Sequence, residues 1–193
     1  VESLGIPHTE VDLVLVGGGM ACTGAAVEAM AYAKGLGLKV TLVDKAALDR
    51  SGAVAMGLSA INTYIGAENK IADYVNMVRT DLMGIIREDL VHSVGAHVDQ
   101  SVHDFQDWGL PIWQKDAENH TVDGQVARDE DLPLLKDGGK CCRSGKWQCM
   151  INGESYKVIV AEAAKNAIGM DNIYERVFIV KLLTDKNNSN RVC

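Results

Sequence analysis

"VDLVLVGGGMACTGAAVEA", residues 11–29, decides how the rest of the chain is read. Residues 11–16 are apolar, β-branched and ended by glycine, which is the pattern of a short buried parallel strand. "MACTGAAVEAMAYAKG", residues 20–35, follows as an alanine-rich helix, and "LKVTLVDK", residues 38–45, as a second buried strand. Strand, helix and strand make a βαβ unit, in which the strands are parallel and the crossover is right-handed. An α/β fold class with a parallel sheet is the expectation.

The turn between the first strand and the helix carries the chemistry. Gly17 and Gly19 occupy the first two glycine positions of G-x-G-x-x-G, and Cys22 stands at the third. The pattern follows a strand, opens a helix and meets an acidic residue, Asp44, at the end of the next strand. Gly17 makes the tight turn, Gly19 lets a pyrophosphate approach the backbone, and Cys22 is small enough for the helix to pack on the strand. No Ser, Asp or Asn caps the helix at Met20, so its free N–H groups and dipole can serve a phosphate. Asp44 can accept hydrogen bonds from both adenosine ribose hydroxyls and would repel a 2′-phosphate, which favours FAD or NAD over NADP. "RSGAVAMGLSAINTY", residues 50–64, is small in side chain and follows neither a helix nor a strand period. An isoalloxazine ring is a broad plane needing a shallow bed of small residues, and this run suits FAD.

Further along, Met77, Val78, Leu82, Ile85, Ile86, Val91, Val94, Val98, Val102 and Phe105 recur at helical spacing. They predict two or three helices broken near Gly84 and Gly95 and stopped by "WGLP". Residues 114–145 are polar, with little periodicity, and read as a long surface loop. "SYKVIVAEAAKNAIG" predicts a last helix ended by glycine, and "IYERVFIVKLLTD", residues 173–185, a strand apolar on both faces. The turn-like "KNNSN" and then "RVC" follow, so a return strand would begin where the sequence stops, and a fragment is expected. The chain thus reads as the N-terminal part of a Rossmann-like FAD-binding domain with a helical excursion, truncated. Its parts are a βαβ dinucleotide unit at about 10–66, a helical segment at about 69–108, a loop excursion at about 114–150, and a returning helix and strand at about 152–193.

Bulk properties narrow the classes. With 193 residues, 47% of them hydrophobic and 23% charged, the chain can fill one core. A formal net charge of -7 argues against a nucleic-acid surface. No signal peptide and no membrane-spanning run is evident, so a cytoplasmic protein without membrane insertion is expected. Cys22, Cys141, Cys142, Cys149 and Cys193 have no metal-ligand spacing and read as free thiols, with no metal site. His8, His92, His97, His103 and His120 are scattered and read as surface or structural; Trp108 and Trp147 suit either core packing or the border of a flavin or partner subunit, and Arg143 reads as a surface ion-pair residue rather than one facing an anionic substrate.

Several strings together carry a resemblance: "GGGMACTGAA", "VDKAALDRSGAVAMGLSAINTY", "DYVNMVRTDLMGIIREDL", "FQDWGLPIW", "RSGKWQCMINGESYKVIVAEAAKNA" and "ERVFIVKLLTDKN". The chain closely resembles the flavoprotein α subunits of dissimilatory adenylylsulfate reductases, within the fumarate reductase and succinate dehydrogenase flavoprotein group. The resemblance implies an FAD-dependent oxidoreductase subunit that reduces adenosine 5′-phosphosulfate to sulfite and AMP, or runs the reverse. It also implies electrons from a separate iron-sulfur β subunit, which would hold the [4Fe-4S] clusters. Gly17, Gly19, Met20 and Ala21 match the family's pyrophosphate loop, and Asp44 and Lys45 its ribose end. Ser51, Gly52, Ala53, Gly57 and Ser59 match the segment along the flavin, and Asn62 an asparagine near flavin and substrate, the one catalytic-site candidate. Met56 stands where the family usually has Gln, and Cys141, Cys142 and Cys149 replace other residues. Relatives that tether their flavin use a His in the stretch that here runs Arg50-Ser51-Gly52, so the FAD expected is noncovalent. Two alternatives stay open: a fumarate reductase-like flavoprotein, and an incomplete nucleotide-binding module without catalysis.

Overall fold

The computed structural model describes residues 8–62, 70–112, 143–145, 148–185 and 192. In chain order its elements are β1 (Leu13–Val16), α1 (Met20–Leu36), β2 (Val40–Val43), β3 (Ala60–Asn62), α2 (Ile71–Asp81), α3 (Glu88–Gly95), α4 (Val98–Asp107), β4 (Arg143–Gly145), β5 (Gln148–Met150), α5 (Gly153–Ile168) and β6 (Ile173–Tyr174). Two compact units divide the chain, Val1–Met56 with Val160–Cys193, and Gly57–Ile159.

The first unit is α/β. Its sheet has the order β1-β2-β6, and both pairings are parallel, with Leu13 opposite Val40 and Leu42 opposite Ile173. The central strand β2 is buried along its whole length, as a strand covered on both faces should be. Around it pack Ala26, Ala33, Leu48, Ala161, Ala164, Ile168 and Ile173. The alanines give α1 and α5 thin faces toward the sheet, so the larger Leu42 and Leu48 fill the space between, each fully buried. Burial of such a leucine stabilises the unit by about 1.5–3 kcal/mol. Helix α1 ends at Gly37, a left-handed residue whose N–H reaches back to Ala33 and Lys34.

Two strands differ from expectation. β1 is parallel but not buried: Leu13, Val14 and Val16 are 40–52% exposed. Among the described residues it is an edge strand of the sheet, and a run of Val and Leu looks the same in an edge strand as in a central one. The strand expected over 173–185 is regular only at Ile173–Tyr174. Beyond it Phe178, Val180, Leu182 and Leu183 are exposed, because among the described residues no neighbouring strand pairs with them. Thr184 forms an isolated antiparallel bridge to Val192.

In the second unit the helical period gives α2, α3 and α4, with breaks after Asp81 and at Gly95. A Cβ on Gly95 would stand 3.0 Å from Tyr74 Cδ1, so glycine lets α3 pack closely on α2. Arg79 grips Glu88 with two nitrogens, at 2.6 and 2.5 Å. Phe105 meets Trp108 and Tyr156 edge-on, at centroid distances of 5.5 and 5.6 Å. Burial pushes the Tyr156 hydroxyl up to about 12. A small antiparallel sheet has the order β3-β5-β4. Two strands therefore lie within the stretch read as a loop excursion over 114–150; the remainder of that stretch, residues 114–142, 146 and 147, is outside the described residues. The first unit runs to Met56, and the strand at 60–62, in the second unit, pairs with 148–150. Asn152 caps α5: its Oδ1 accepts from the N–H groups of Glu154 and Ser155, at 3.1 and 3.3 Å.

Candidate cofactor-binding site

The glycine turn lies in the first unit, beyond the carboxyl ends of β1 and β2, where parallel sheets characteristically bind ligands. Gly17 has a φ of +112°, and its N–H donates to Val43 O at 2.8 Å, which ties the turn to the end of β2. Gly19 is the N-cap of α1 and makes no side-chain cap bond. The helix start at Met20 and Ala21 is therefore left for another acceptor, and the helix dipole favours an anion there.

Each glycine of the triplet has a separate physical reason. A Cβ on Gly18, the residue the sequence pattern leaves unassigned, would collide with Asp44 Oδ2, stand 2.7 Å from Asp44 Cγ and 2.9 Å from Leu48 Cδ1. Asp44 thus rests directly on the backbone of Gly18. Asp44 is 3% exposed, and its Oδ2 has no hydrogen-bond partner among the described residues. A buried, unpartnered carboxylate oxygen costs stability unless something else donates to it. It is an acceptor waiting beside the glycine turn.

Cys22 occupies the third glycine position without crowding. Its thiol donates to Val16 O at 3.3 Å, and a Cβ on Gly17 would be 3.8 Å from the sulfur, an ordinary contact. Burial, and secondarily the negative charge of Asp44, push this thiol up from its ordinary pKa. Cys22 therefore acts here as a small packing residue.

Of the small-residue run, Ser51 is buried, while Gly52 and Ala53 are exposed. Gly52 has a φ of +81°, and a Cβ there would lie 2.7 Å from the Cα of Gly19. Two glycine backbones touch, so the run needs glycine at this point whatever ligand it faces. Ala53–Met56 form a single 3₁₀ turn, and Met56 is 93% exposed. Gly57, Ser59 and Asn62 belong to the second unit; all three are exposed, and Asn62 pairs through its backbone with Gln148. Thr63 and Tyr64, also in the run, are outside the described residues.

The structure brings Gly17, Asp44 and Lys45 together in an open cleft of about 160 Å³, with Val16, Val43, Val177, Phe178 and Ile179. The last three residues were missed by motif reading, since they lie more than a hundred residues downstream in a stretch read simply as strand. The cleft is smaller than the roughly 300 Å³ that encloses a drug-sized ligand, so a ligand would sit partly in the open. Four hydrogen bonds hold its rim. Asp44 N donates to Tyr174 O at 2.9 Å, Val177 N to Asp44 O at 2.9 Å, Arg176 N to Ala46 O at 3.2 Å, and Leu48 N to Glu175 Oε1 at 2.6 Å.

Comparison with known proteins gives one short family match and several long similarities. The model described as Mut7-C ubiquitin matches residues 1–30. Within that span, residues 13–30 are the first strand and part of the first helix of the parallel βαβ unit, and the match is too short to place the chain. The chain is 60% identical, over 99% of its length, to the adenylylsulfate reductase subunit alpha of Megalodesulfovibrio gigas, and spans 28% of that subunit. The adenylylsulfate reductase structure from Archaeoglobus fulgidus matches with a TM-score of 0.77 and 52% identity, over 95% of this chain and 26% of that one. A structure of adenosine-5-phosphosulfate reductase in complex with sulfite as a covalent adduct matches equally, with the same score, identity and coverage. A flavocytochrome c3 fumarate reductase shares the fold alone, at 15% identity and a TM-score of 0.63, over 96% of this chain and 30% of that one. In sequence and in backbone, the chain is similar to a portion of an adenylylsulfate reductase alpha subunit, and it shares its fold with part of a fumarate reductase.

Proposed function

We propose that this chain is the dinucleotide-holding portion of an adenylylsulfate reductase alpha subunit and that its ligand is noncovalent FAD. The observation that carries the cofactor assignment is the buried Asp44 carboxylate, seated on Gly18 with Oδ2 unpartnered, next to a helix N-terminus without a side-chain cap. These features fit a dinucleotide: the N–H groups at Gly19, Met20 and Ala21 suit a pyrophosphate, and the Asp44 oxygens suit ribose hydroxyls. Lys45 is exposed at the cleft rim beside Asp44 and belongs with it to the ribose end.

On this reading Ser51, Gly52 and Ala53 lie along the flavin. The chain continues through Gly57 and Ser59, assigned to the same role, and Asn62, whose amide can hydrogen-bond a sulfonate oxygen or a flavin carbonyl. Bound FAD supplies the two-electron chemistry that separates sulfite from AMP. The residues of this chain bind and orient it. Substrate and iron-sulfur partner rest on the similarity to the alpha subunits, because the chain spans 28% of that relative's length, and the reaction is adenosine 5′-phosphosulfate reduction or its reverse.

The test is flavin uptake. Purified chain should show the absorbance of bound flavin, or quench the fluorescence of added FAD with saturation at one per chain. A folded chain that does neither overturns the cofactor assignment. For the reaction, the full-length subunit with its partner should oxidise sulfite in an AMP-dependent manner; a protein that reduces fumarate and ignores sulfite and AMP rejects the proposal.

A further inference from the structure

In the first unit Asp12 and Glu175 each accept a hydrogen bond from a backbone amide, one at each end of the parallel sheet. Ahead of the strands, Asp12 Oδ2 accepts from Lys39 N at 2.8 Å. Beyond them, Glu175 Oε1 accepts from Leu48 N at 2.6 Å. The two bonds have the same chemistry but different surroundings.

The amide held by Glu175 opens the 3₁₀ turn Leu48–Arg50, whose N-cap, Ala47, makes no side-chain cap bond. Glu175 reaches across 127 positions of sequence to supply that cap. The leucine it fixes is fully buried, and its Cδ1 shares the surface of Gly18 with the carboxylate of Asp44. The backbone of Asp44 is held by the turn that carries Glu175, through Tyr174 O and Val177 N. Glu175 is the side-chain member of a clasp that fixes both residues resting on Gly18. Arg176, beside it, is held at a φ of +58°, a conformation L residues seldom adopt, with its N–H bonded to Ala46 O. The clasp is thus over-determined.

We infer that Glu175 is a positioning residue for the dinucleotide, keeping Asp44 seated on Gly18 before the ligand arrives. The inference rests on the FAD reading above. A preorganised acceptor binds more tightly because the ligand does not have to order the loop. Without that bond the ligand has to order the loop itself, and an ordering cost the size of one hydrogen bond corresponds to about tenfold in affinity.

The experiment compares Glu175→Ala, Glu175→Asp and Glu175→Gln with Asp12→Ala by FAD titration, thermal melting and amide exchange at Leu48 in flavin-free chain. Glu175→Asp is one methylene short of Leu48, whereas Glu175→Gln keeps an accepting oxygen at full length. We expect Glu175→Ala and Glu175→Asp to weaken FAD binding about tenfold and to speed Leu48 exchange, and Glu175→Gln to stay within about threefold of wild type. Asp12→Ala removes a bond of the same kind at the far end of the sheet and should lower the melting temperature with FAD affinity intact. If Glu175→Ala does not fold, the aspartate and glutamine variants carry the comparison. Unchanged FAD affinity or Leu48 exchange in Glu175→Asp, or equal weakening by Asp12→Ala, overturns the positioning role while flavin binding stands. Wild-type chain that takes up no FAD overturns both.

Discussion

Replacing Gly52 by alanine tests whether the small-residue run is dictated by backbone contact. Gly52 is left-handed, with a φ of +81°, and its missing Cβ would lie 2.7 Å from the Cα of Gly19. Alanine therefore incurs two costs, about 1–2 kcal/mol for the left-handed backbone and about 1–3 kcal/mol for overpacking. Gly37 separates them. It is also left-handed, at a φ of +68°, but a Cβ there meets nothing within 4 Å. Gly37→Ala should cost the backbone part alone, about 1–2 kcal/mol, and Gly52→Ala about 2–5 kcal/mol. For a chain of this size each kcal/mol lowers the melting temperature by about 2–4 °C, so the two variants should be resolved. The assay is urea and thermal unfolding of the flavin-free chain, followed by FAD titration of whatever remains folded. Gly52→Ala should also weaken FAD binding, since the backbone it displaces is the N-cap of α1. Equal destabilisation by Gly52→Ala and Gly37→Ala would refute the contact argument.

Gly18→Ala should displace Asp44 and Leu48 together, costing about 1–3 kcal/mol and lowering FAD affinity, as read by unfolding and titration. Cys22 should be alkylated by iodoacetamide at pH 8 more slowly than in the unfolded chain, with Asp44→Asn restoring part of the rate, because burial is the larger cause of its raised pKa; mass spectrometry identifies the residue. The same shift links to stability: the folded thiol titrates above the unfolded one, so its contribution is complete below the unfolded pKa and is lost as pH rises through the folded value. Tyr156 acts in the same direction between pH 10 and about 12, so alkaline melts should show falling stability across that window. Asn152→Ala should cost about 1 kcal/mol in urea unfolding by uncapping α5.

Local pattern made the βαβ unit legible: β-branched runs, a glycine turn and an alanine-rich helix each agree with their neighbours. The helical stretch from Ile71 to Asp107 was equally readable, because a 3.6-residue period survives without knowledge of partners. Burial of β1 was not, since only the sheet order tells an edge from a centre. The apolar run after Tyr174 misled for the same reason: its residues favour a strand, yet a strand needs a partner to pair with. At the site, motif spacing named Gly17, Gly19 and Asp44 but could not find Gly18 against Asp44, Gly52 against Gly19, or Glu175 on Leu48. Those are contacts between segments distant in sequence, and no local property of Glu175 distinguishes it from a solvated surface acid. Gly52 carries a partial signal, as glycine among small residues, but the sequence suggests a ligand as the reason where backbone already suffices.

The bond from Leu48 to Glu175 also has a consequence in time. The turn from Gly17 to Asp44 can close within a short span of chain, whereas the clasp joins residues 127 positions apart. At about 5–20 residues per second of synthesis, Glu175 emerges roughly 6–25 s after Leu48, long after the βαβ unit is available to fold. On a ribosome the glycine turn would exist first without its clasp, and Leu48 would be fixed only after Glu175 had emerged.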